Sequence, residues 1–181
     1  MAKAVIFFAD GMEECEALLV VDLLRRAGVE VTTASIMGKK QVLSSHGIKL
    51  DADMLAKDVE YKLYDIVILP GGKVGTENLG QSALVQEQVK AFSETKRIAA
   101  ICAAPSVFAK LGLLENKKAT CHPSFEPHMA KAQLTHGAVA VAGNIITGQG
   151  LGAAIPFALE LIKELVSEKA AQKVSESICY K

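Results

Sequence analysis

The stretch "YDIVILPGG" (64–72) is the feature that most constrains the fold of this chain. Its apolar run lacks polar alternation, which is typical of a strand buried on both faces, and it ends in a Pro-Gly-Gly turn. Similar runs occur at 3–9 ("KAVIFFA") and 97–102 ("RIAAIC"), and a β-branched run occurs at 29–36 ("VEVTTASI"). Such strands need helices on both faces. The sequence therefore predicts an α/β fold with a doubly wound, mostly parallel sheet.

Helical patterns alternate with these strands. The predicted helices cover 14–28, 82–94, 104–114 with Pro105 in its first turn, and 152–166, and a polar tail helix follows. The region 38–63 predicts short strands in a hairpin, and short strands are also expected at 138–142 and 144–148. Residues 117–137 contain two prolines and are expected to form mainly loops.

Length and charge exclude several classes of protein. The chain has 181 residues, and we expect a single domain over 1–181. Twenty basic residues balance twenty acidic ones, so no patch is indicated for a phosphate backbone or a membrane surface, and we expect no nucleic-acid partner. The apolar run from Ala4 to Ala9 is too short for a signal peptide or a membrane span, so we expect a cytoplasmic protein.

The cysteines and glycines do not indicate a metal or a cofactor. The four cysteines, Cys15, Cys102, Cys121 and Cys179, are far apart and form no C-x-x-C motif, so neither a disulfide framework nor a zinc site is predicted. The stretch "GQGLG" (148–152) lacks the G-x-G-x-x-G spacing of a dinucleotide site. We expect no bound metal and no cofactor.

Three polar or glycine-rich turns follow predicted strands and should meet at one edge of the sheet, where ligands bind in open α/β folds. Cys102 follows one strand and lies just before a helix, a position like the nucleophile elbow of hydrolases, where the helix dipole would favour thiolate. Gly71 and Gly72 follow another and can present N–H groups to an oxyanion. Glu16 lies in the first helix, facing inward, where burial would raise its pKa and suit it to acid–base catalysis.

Each of these residues also has a purely structural interpretation. Free cysteines are among the most buried residues, so Cys102 could be a small apolar side chain at a strand end. Gly71 and Gly72 could form an ordinary turn between a strand and a helix. Glu16 could be one of several carboxylates that complement the dipole at a helix N-terminus.

Three motifs in register decide between these interpretations. "GMEECEALLVVDLLRRAG", "YDIVILPGG" and "AAICAAPSVFAKLGLL" together resemble the DJ-1/ThiJ/PfpI superfamily, specifically its DJ-1-like branch, and "GQGLGAAIPFALELIKEL" extends the likeness over essentially the whole chain. The resemblance implies a flavodoxin-like fold, usually in a homodimer, with an easily oxidised cysteine on the elbow.

The resemblance also assigns roles to individual residues. Cys102 matches the reactive cysteine and Glu16 the protonated glutamate beside it, while Gly71, Gly72 and Ala103 match the backbone donors of an oxyanion hole. Further candidates are His122, with His128 and His136 as alternatives from the segment after the elbow, and Arg26, which matches an arginine near the dimer interface and the partner's site. Arg26 could equally be a solvated cation at a helix end.

Two positions depart from the family pattern. Protease-like members have a histidine directly after the cysteine, whereas this chain has Ala103, so peptidase activity is disfavoured. His46 stands where relatives often have an arginine that faces the site.

Two functions follow from the resemblance and the candidate residues. One is a cysteine-dependent glyoxalase that converts methylglyoxal to lactate without glutathione, or a deglycase that acts on early glyoxal adducts. The other is an oxidative-stress sensor or redox-regulated chaperone in which Cys102 is oxidised to a sulfinate. A cysteine peptidase is the least favoured. We expect a small reactive carbonyl as substrate, a homodimer and no membrane partner.

Overall fold

A computed structural model describes residues 1–180 of the chain. Its strands are β1 (Lys3–Phe8), β2 (Glu30–Ser35), β3 (Gln41–Leu43), β4 (Lys49–Asp51), β5 (Met54–Leu55), β6 (Ile66–Leu69), β7 (Arg97–Ile101), β8 (Lys118–Ala119), β9 (Gln133–Leu134), β10 (Val139–Ala142) and β11 (Ile145–Gly148). Its α-helices are α1 (Glu14–Arg26), α2 (Lys73–Gln81), α3 (Ala83–Thr95), α4 (Pro105–Lys110), α5 (Ala154–Leu165) and α6 (Glu168–Ser177).

Seven of the strands form one sheet in the order β10-β11-β7-β6-β1-β2-β5. Only β10 pairs antiparallel to its neighbour; the remaining pairs in this sheet are parallel. The chain proceeds from β1 to β2 in one direction and later fills β6, β7 and β11 in the other. The predicted doubly wound, mostly parallel sheet is confirmed, and β1 lies beside the point where the winding direction changes.

Both faces of the sheet are covered, as the apolar strands require. Alternate side chains of β1 point to opposite sides: Ile6 and Phe8 pack into a core with α1 and α5, and Val5 and Phe7 pack into a second core with α2, α3 and α4. All four of these side chains are essentially inaccessible to solvent. This two-sided burial fixes the register of β1, so the loop after it has a defined position.

Most predicted elements are observed within a few residues of their expected ends. The hairpin expected in 38–63 is formed by β3 and β4. Helix α4 ends at Lys110, earlier than predicted, and 117–137 contains β8, β9 and the 3₁₀-helix Pro123–His128. Helix α2 was not predicted, because Gly75 and Gly80 give residues 73–81 a low intrinsic helix propensity. Among residues 1–180, no helix combines the length and apolar character that crossing a bilayer requires.

Candidate active site

The predicted site residues lie at the carboxyl ends of neighbouring strands. The loop after β1 leads into α1 with Glu16, the turn after β6 contains Gly71 and Gly72, and Cys102 directly follows β7. Since β1, β6 and β7 are adjacent and parallel, these three segments meet at one edge of the sheet. The predicted convergence is therefore seen in the structure.

Cys102 has a backbone conformation that a side-chain-bearing residue rarely adopts. Its φ is 65°, in the left-handed region, where a residue with a Cβ is strained by about 1 kcal/mol or more. Two backbone hydrogen bonds hold it there: its N–H donates to the Gly148 carbonyl at 2.9 Å, and its carbonyl accepts from the His122 N–H at 2.8 Å. The elbow is thus fixed from both sides, and Cys102 remains partly exposed.

Glu16 is almost completely buried beside this thiol. Only 1% of its surface is exposed, and its Oε2 accepts a hydrogen bond from the Gly71 N–H at 3.1 Å. Helix α1 positions it, since the Glu13 side chain caps the helix by accepting from the Glu16 N–H at 2.6 Å. Burial raises the pKa of the Glu16 carboxyl to about 7, whereas its interaction with the Cys102 thiol acts in the opposite direction. Near neutral pH, this carboxyl can therefore both accept and donate a proton.

The thiol itself is more basic than the helix-dipole argument predicted. Burial raises the pKa of Cys102 well above its usual range, the negative charge of Glu16 adds to this rise, and the N–H groups of Gly72 and Ala103 oppose it. The predicted low pKa is not found, because burial and the Glu16 charge outweigh these two N–H groups. The thiol therefore needs a base to remove its proton, and Glu16 is in contact with it.

The three expected backbone donors do not behave alike. The N–H groups of Gly72 and Ala103 interact with the Cys102 sulfur. The N–H of Gly71 donates to Glu16 and so is not free for an oxyanion. Gly71 must nevertheless be a glycine, because a Cβ there would lie 2.6 Å from Cys102 Cβ and would also meet Glu16 Oε2. Because Gly71 has no Cβ, the turn after β6 can lie close to the Cys102 thiol.

A cavity of about 560 Å³ opens over Cys102 and Glu16. This volume lies within the range of roughly 300–1,000 Å³ that is usual for small-molecule sites. Its other walls come from 122–123 and from the segment after β11, including Gln149, Gly150 and Leu151. The sequence of 148–152 lacks a dinucleotide motif and contributes to the family likeness, but neither observation predicted that this segment lines the cavity. The signal was present, since the segment follows the carboxyl end of a strand.

The candidate histidines are separated by the fold. His122 lines the cavity, and its Nδ1 accepts a hydrogen bond from the Ser124 N–H at 3.3 Å. His128 lies against the Phe125 ring and His136 pairs with Glu126, and neither lines the cavity over Cys102. Within residues 1–180, no histidine side chain forms a hydrogen bond with the Cys102 sulfur.

Two other candidates lie outside this cavity. Arg26, at the end of α1, pairs with Asp22 at 2.7 Å and is half exposed. His46 is largely exposed and contacts Glu14 at 2.8 Å rather than facing Cys102.

Among residues 1–180, one group of side chains has the spacing of metal ligands: Glu13, Glu14 and His46, with ligand atoms within 4.8 Å of one another. These atoms already bond to one another or to the protein: Glu13 caps α1, and Glu14 accepts from Ser45 and contacts His46. A metal ion would have to displace these bonds, so the donor set does not fit a resident metal. Cys102 and Glu16 are not part of the group.

The fold and the site define a class of protein: an α/β protein with a cysteine on a strained strand-to-helix elbow and a buried carboxyl beside it. The sequence model of the DJ-1/PfpI family matches residues 2–164. The chain belongs to this family, and the likeness to DJ-1 proteins confirms the branch that the motifs indicated.

Three relatives illustrate the match. Protein DJ-1 homolog B of Arabidopsis thaliana is 39% identical over 96% of this chain, which spans 40% of that protein. The glutathione-independent glyoxalase DJ-1 of Schizosaccharomyces pombe is 31% identical over 98% of both chains. The crystal structure of Drosophila melanogaster DJ-1beta superposes with a TM-score of 0.95 at 35% identity, covering 99% of this chain and 98% of that one.

Proposed function

We propose that this protein is a cysteine-dependent glyoxalase that converts methylglyoxal to lactate without glutathione, metal or organic cofactor. The observation that carries the proposal is the contact between the Cys102 thiol and the buried Glu16 carboxyl at the floor of an open cavity. The relative from Schizosaccharomyces pombe that is named a glutathione-independent glyoxalase supports the same reaction class.

In the first step, Cys102 Sγ attacks the aldehyde carbon of methylglyoxal. Glu16, as carboxylate, accepts the thiol proton while the C–S bond forms, and then returns it to the new alkoxide oxygen. The product is a hemithioacetal on Cys102. A base in direct contact with the thiol suits a group whose pKa is raised by burial, since no free thiolate has to accumulate beforehand.

In the second step, Glu16 moves a proton between two carbon atoms. It removes the hydrogen from the former aldehyde carbon, and the electron pair passes to the adjacent ketone to form an enediolate. The hemithioacetal hydroxyl proton moves to the former ketone oxygen, and Glu16 returns its proton to the second carbon, which gives a thioester of lactate on Cys102. A carboxyl with a pKa near 7 can both take and return this proton at neutral pH.

In the last step, water attacks the thioester carbonyl and the C–S bond breaks, releasing lactate and the free thiol. The N–H groups of Gly72 and Ala103 favour negative charge on the Cys102 sulfur and would stabilise the negative oxygen of the tetrahedral intermediate. His122, on the cavity wall, would orient the water. The whole reaction consumes one methylglyoxal and one water and needs no electron donor or acceptor.

The size of the cavity extends the proposal to larger carbonyl compounds. A volume of about 560 Å³ exceeds what methylglyoxal alone would fill. Early adducts of glyoxals with Cys, Lys or Arg side chains would offer the same reactive carbon, so deglycase activity uses the same residues in the same roles.

The test is lactate formation from methylglyoxal without glutathione, in the presence of a chelator, by the wild type and by Cys102→Ser. We expect steady turnover by the wild type and no enzymatic turnover by the variant. Cys179→Ser removes an exposed thiol far along the chain and serves as the matched control that should keep the wild-type rate. Equal rates for wild type and Cys102→Ser, or no lactate from either, would refute the proposal.

A redox sensor or redox-regulated chaperone is the second candidate. It is favoured by the Gly72 and Ala103 N–H groups, which would bind the oxygens of a Cys102 sulfinate. It is disfavoured by the raised pKa of the thiol, because peroxide oxidises thiolate. Intact mass after turnover separates the two functions: sensing leaves two added oxygens on Cys102, whereas catalysis returns the thiol. Peptidase activity is least favoured, since Ala103 supplies no imidazole.

We also propose that the protein acts as a homodimer through α1 and the β3–β4 hairpin. Three large apolar side chains are exposed there: Leu18 at 41%, Leu43 at 47% and Ile48 at 48%. The hairpin is bound to the loop before α1, because the Ser45 N–H donates to the Met12 carbonyl at 2.8 Å. Arg26 follows Leu18 by eight residues, so both lie on the same exposed side of the helix.

A further inference from the structure

A second cavity lies between α2, α4 and the 3₁₀-helix Pro123–His128. Its volume is about 520 Å³, similar to that of the cavity over Cys102, and the two cavities share no lining residue. The proposed glyoxalase reaction makes no use of it. Its size falls within the range of roughly 300–1,000 Å³ that is usual for small-molecule sites.

The inner surface of this cavity is mainly apolar. Val107 and Ala109 of α4 and Phe125 and Pro127 of the 3₁₀-helix contribute apolar side chains to its lining. The Phe125 ring also packs on the His128 ring, with 5.6 Å between their centroids. A flat apolar body such as a phenyl ring would fit against this wall through aromatic stacking.

The rim of the cavity carries more positive than negative charge. Lys73 and Lys110 line it, are exposed, and pair with no carboxylate among residues 1–180. Glu77 is the acidic residue in the lining. Two cations and one anion leave a single net positive charge, which matches a ligand with one negative charge better than a dianionic phosphate.

A buried hydroxyl in the wall lacks a hydrogen-bond partner. Thr76 lines the cavity and is 5% exposed, and its Oγ1 is the one buried side-chain oxygen or nitrogen in residues 1–180 without a partner. An unsatisfied buried hydroxyl costs about 1–3 kcal/mol, and valine would fill the same space without this cost. This oxygen is itself shielded from solvent, so the Thr76 side chain would have to rotate about its Cα–Cβ bond to donate to a carboxylate oxygen in the cavity, which would supply the missing acceptor.

We propose that this second cavity binds a small aromatic monocarboxylate. The ring packs on Phe125 and Val107, and the carboxylate lies between Lys73 and Lys110 with one oxygen accepting from the Thr76 hydroxyl. The ring of the ligand thus matches the apolar wall of the cavity, and the carboxylate matches its net positive charge and its unpartnered hydroxyl donor.

The test is a titration of the full-length protein with hydrocinnamate, followed by two-dimensional amide NMR. We expect saturable shifts centred on Gly80 and Ala109, with Gly150 at the other cavity unaffected. Hydrocinnamyl alcohol, which keeps the ring but lacks the charge, should bind at least about tenfold more weakly. The same titration of Cys102→Ser should give the same affinity, which separates this proposal from the proposed reaction.

Variants assign the contacts. Lys110→Gln and Thr76→Val should each weaken hydrocinnamate binding about fivefold, and Thr76→Val keeps the shape of the side chain. Lys90→Gln, an exposed lysine on α3 outside the cavity, is the control that should bind like the wild type. Absence of saturation at about 10 mM, a weaker interaction than most specific ligand sites show, would overturn the proposal. Equal binding of the alcohol, or shifts centred on Gly150, would overturn it as well.

Discussion

In the proposed reaction, Glu16 and Cys102 act together, and the chemistry depends on which of the two holds the proton between them. Glu16 is 1% exposed, so ionising it places a negative charge in a region that water hardly reaches. The Gly71 N–H and the Cys102 thiol are the groups that stabilise this charge. The fold therefore retains a carboxyl that is costly to ionise, which is typical of a residue kept for its reactivity.

The cost should appear as a dependence of stability on pH. Burial raises the pKa of Glu16 from 4.5 to about 7 in the folded protein, so between these values the folded state holds a proton that the unfolded state has lost. The stability contributed by protonated Glu16 is therefore complete below pH 4.5 and is lost as pH rises to about 7. Each pKa unit corresponds to about 1.4 kcal/mol, so the loss is about 3 kcal/mol at most.

Urea unfolding of the wild type and Glu16→Gln across this pH range measures the effect. The amide cannot ionise, so the variant should gain stability relative to the wild type as pH increases. Glu164→Gln, at a half-exposed ion pair with Arg97, is a control without a buried ionisation. A difference between wild type and Glu16→Gln that stays constant from pH 4.5 to 7 would show that the carboxyl has an ordinary pKa.

At this scale the sequence predicts which residues meet, but not how strongly each is perturbed. Cys102, Glu16 and the glycine pair follow from strand ends and family motifs. The hydrogen bond from Gly71 to Glu16 joins residues 55 positions apart, and the raised pKa of the thiol depends on burial by segments that are far apart in the sequence. Neither quantity is encoded in a local pattern.

Among the structural elements, α2 is the one that directly follows the Gly72 amide, which is its N-cap. It begins at Lys73, directly after the turn that faces Cys102, and its Gly75 packs against the loop before α1. A Cβ on Gly75 would lie 2.5 Å from the Met12 Cα and 2.6 Å from the Met12 nitrogen. These are backbone atoms, so the helix would have to move away.

We therefore expect Gly75→Ala to lower both stability and turnover. The loss of unfolding free energy should be about 1–3 kcal/mol, the usual cost of overpacking, and lactate formation should slow because the Gly72 amide is displaced. Gly80→Ala in the same helix meets only Val107, at 3.5 Å, and should gain up to about 1 kcal/mol from its better helix propensity. Urea unfolding and the lactate assay check both variants, and similar behaviour of the two would contradict this account of α2.

Strong apolar patterns explain which strands and helices could be predicted from the sequence, and the glycines of α2 explain why that helix could not. Strands β1, β6 and β7 and helix α1 have strong apolar patterns, so their existence and order followed from the sequence. Helix α2 contains two residues of low helix propensity, and one of them, Gly75, is required by the close approach of Met12, which no local pattern reports. The end of α4, by contrast, is marked in its own sequence: Gly112 adopts a left-handed φ of 76°, and the N–H groups of Gly112 and Leu113 donate to the carbonyls of Ala109 and Phe108.

For the whole molecule, the sheet topology brings the site together and the proposed dimer would complete its surroundings. The loops after β1, β6 and β7 meet where the winding direction of the sheet changes. Leu18 and Arg26, on the exposed side of α1, and Glu16, on its buried side, belong to the same helix. A partner packed on this side would cover apolar surface and bring Arg26 to the subunit boundary.

Sedimentation velocity tests this assembly. We expect the wild type to sediment as a dimer at micromolar concentration and Leu18→Glu to sediment as a monomer, because the interface would bury an unpaired charge. Leu63→Glu changes a side chain that is 53% exposed and lies outside α1 and the hairpin, and it should remain dimeric. A monomeric wild type, or a dimeric Leu18→Glu, would disprove the proposed interface.

The central claim is that Glu16 is the base that activates Cys102 and moves the proton during rearrangement. The most direct measurement is the pH dependence of kcat/KM for lactate formation by the wild type and Glu16→Gln. We predict that the wild-type value increases with pH through an apparent pKa of about 7, as Glu16 becomes a carboxylate. Glu16→Gln should be at least about 100-fold slower and should lack this ionisation. An unchanged rate, or the same pH profile in the variant, would contradict the claim.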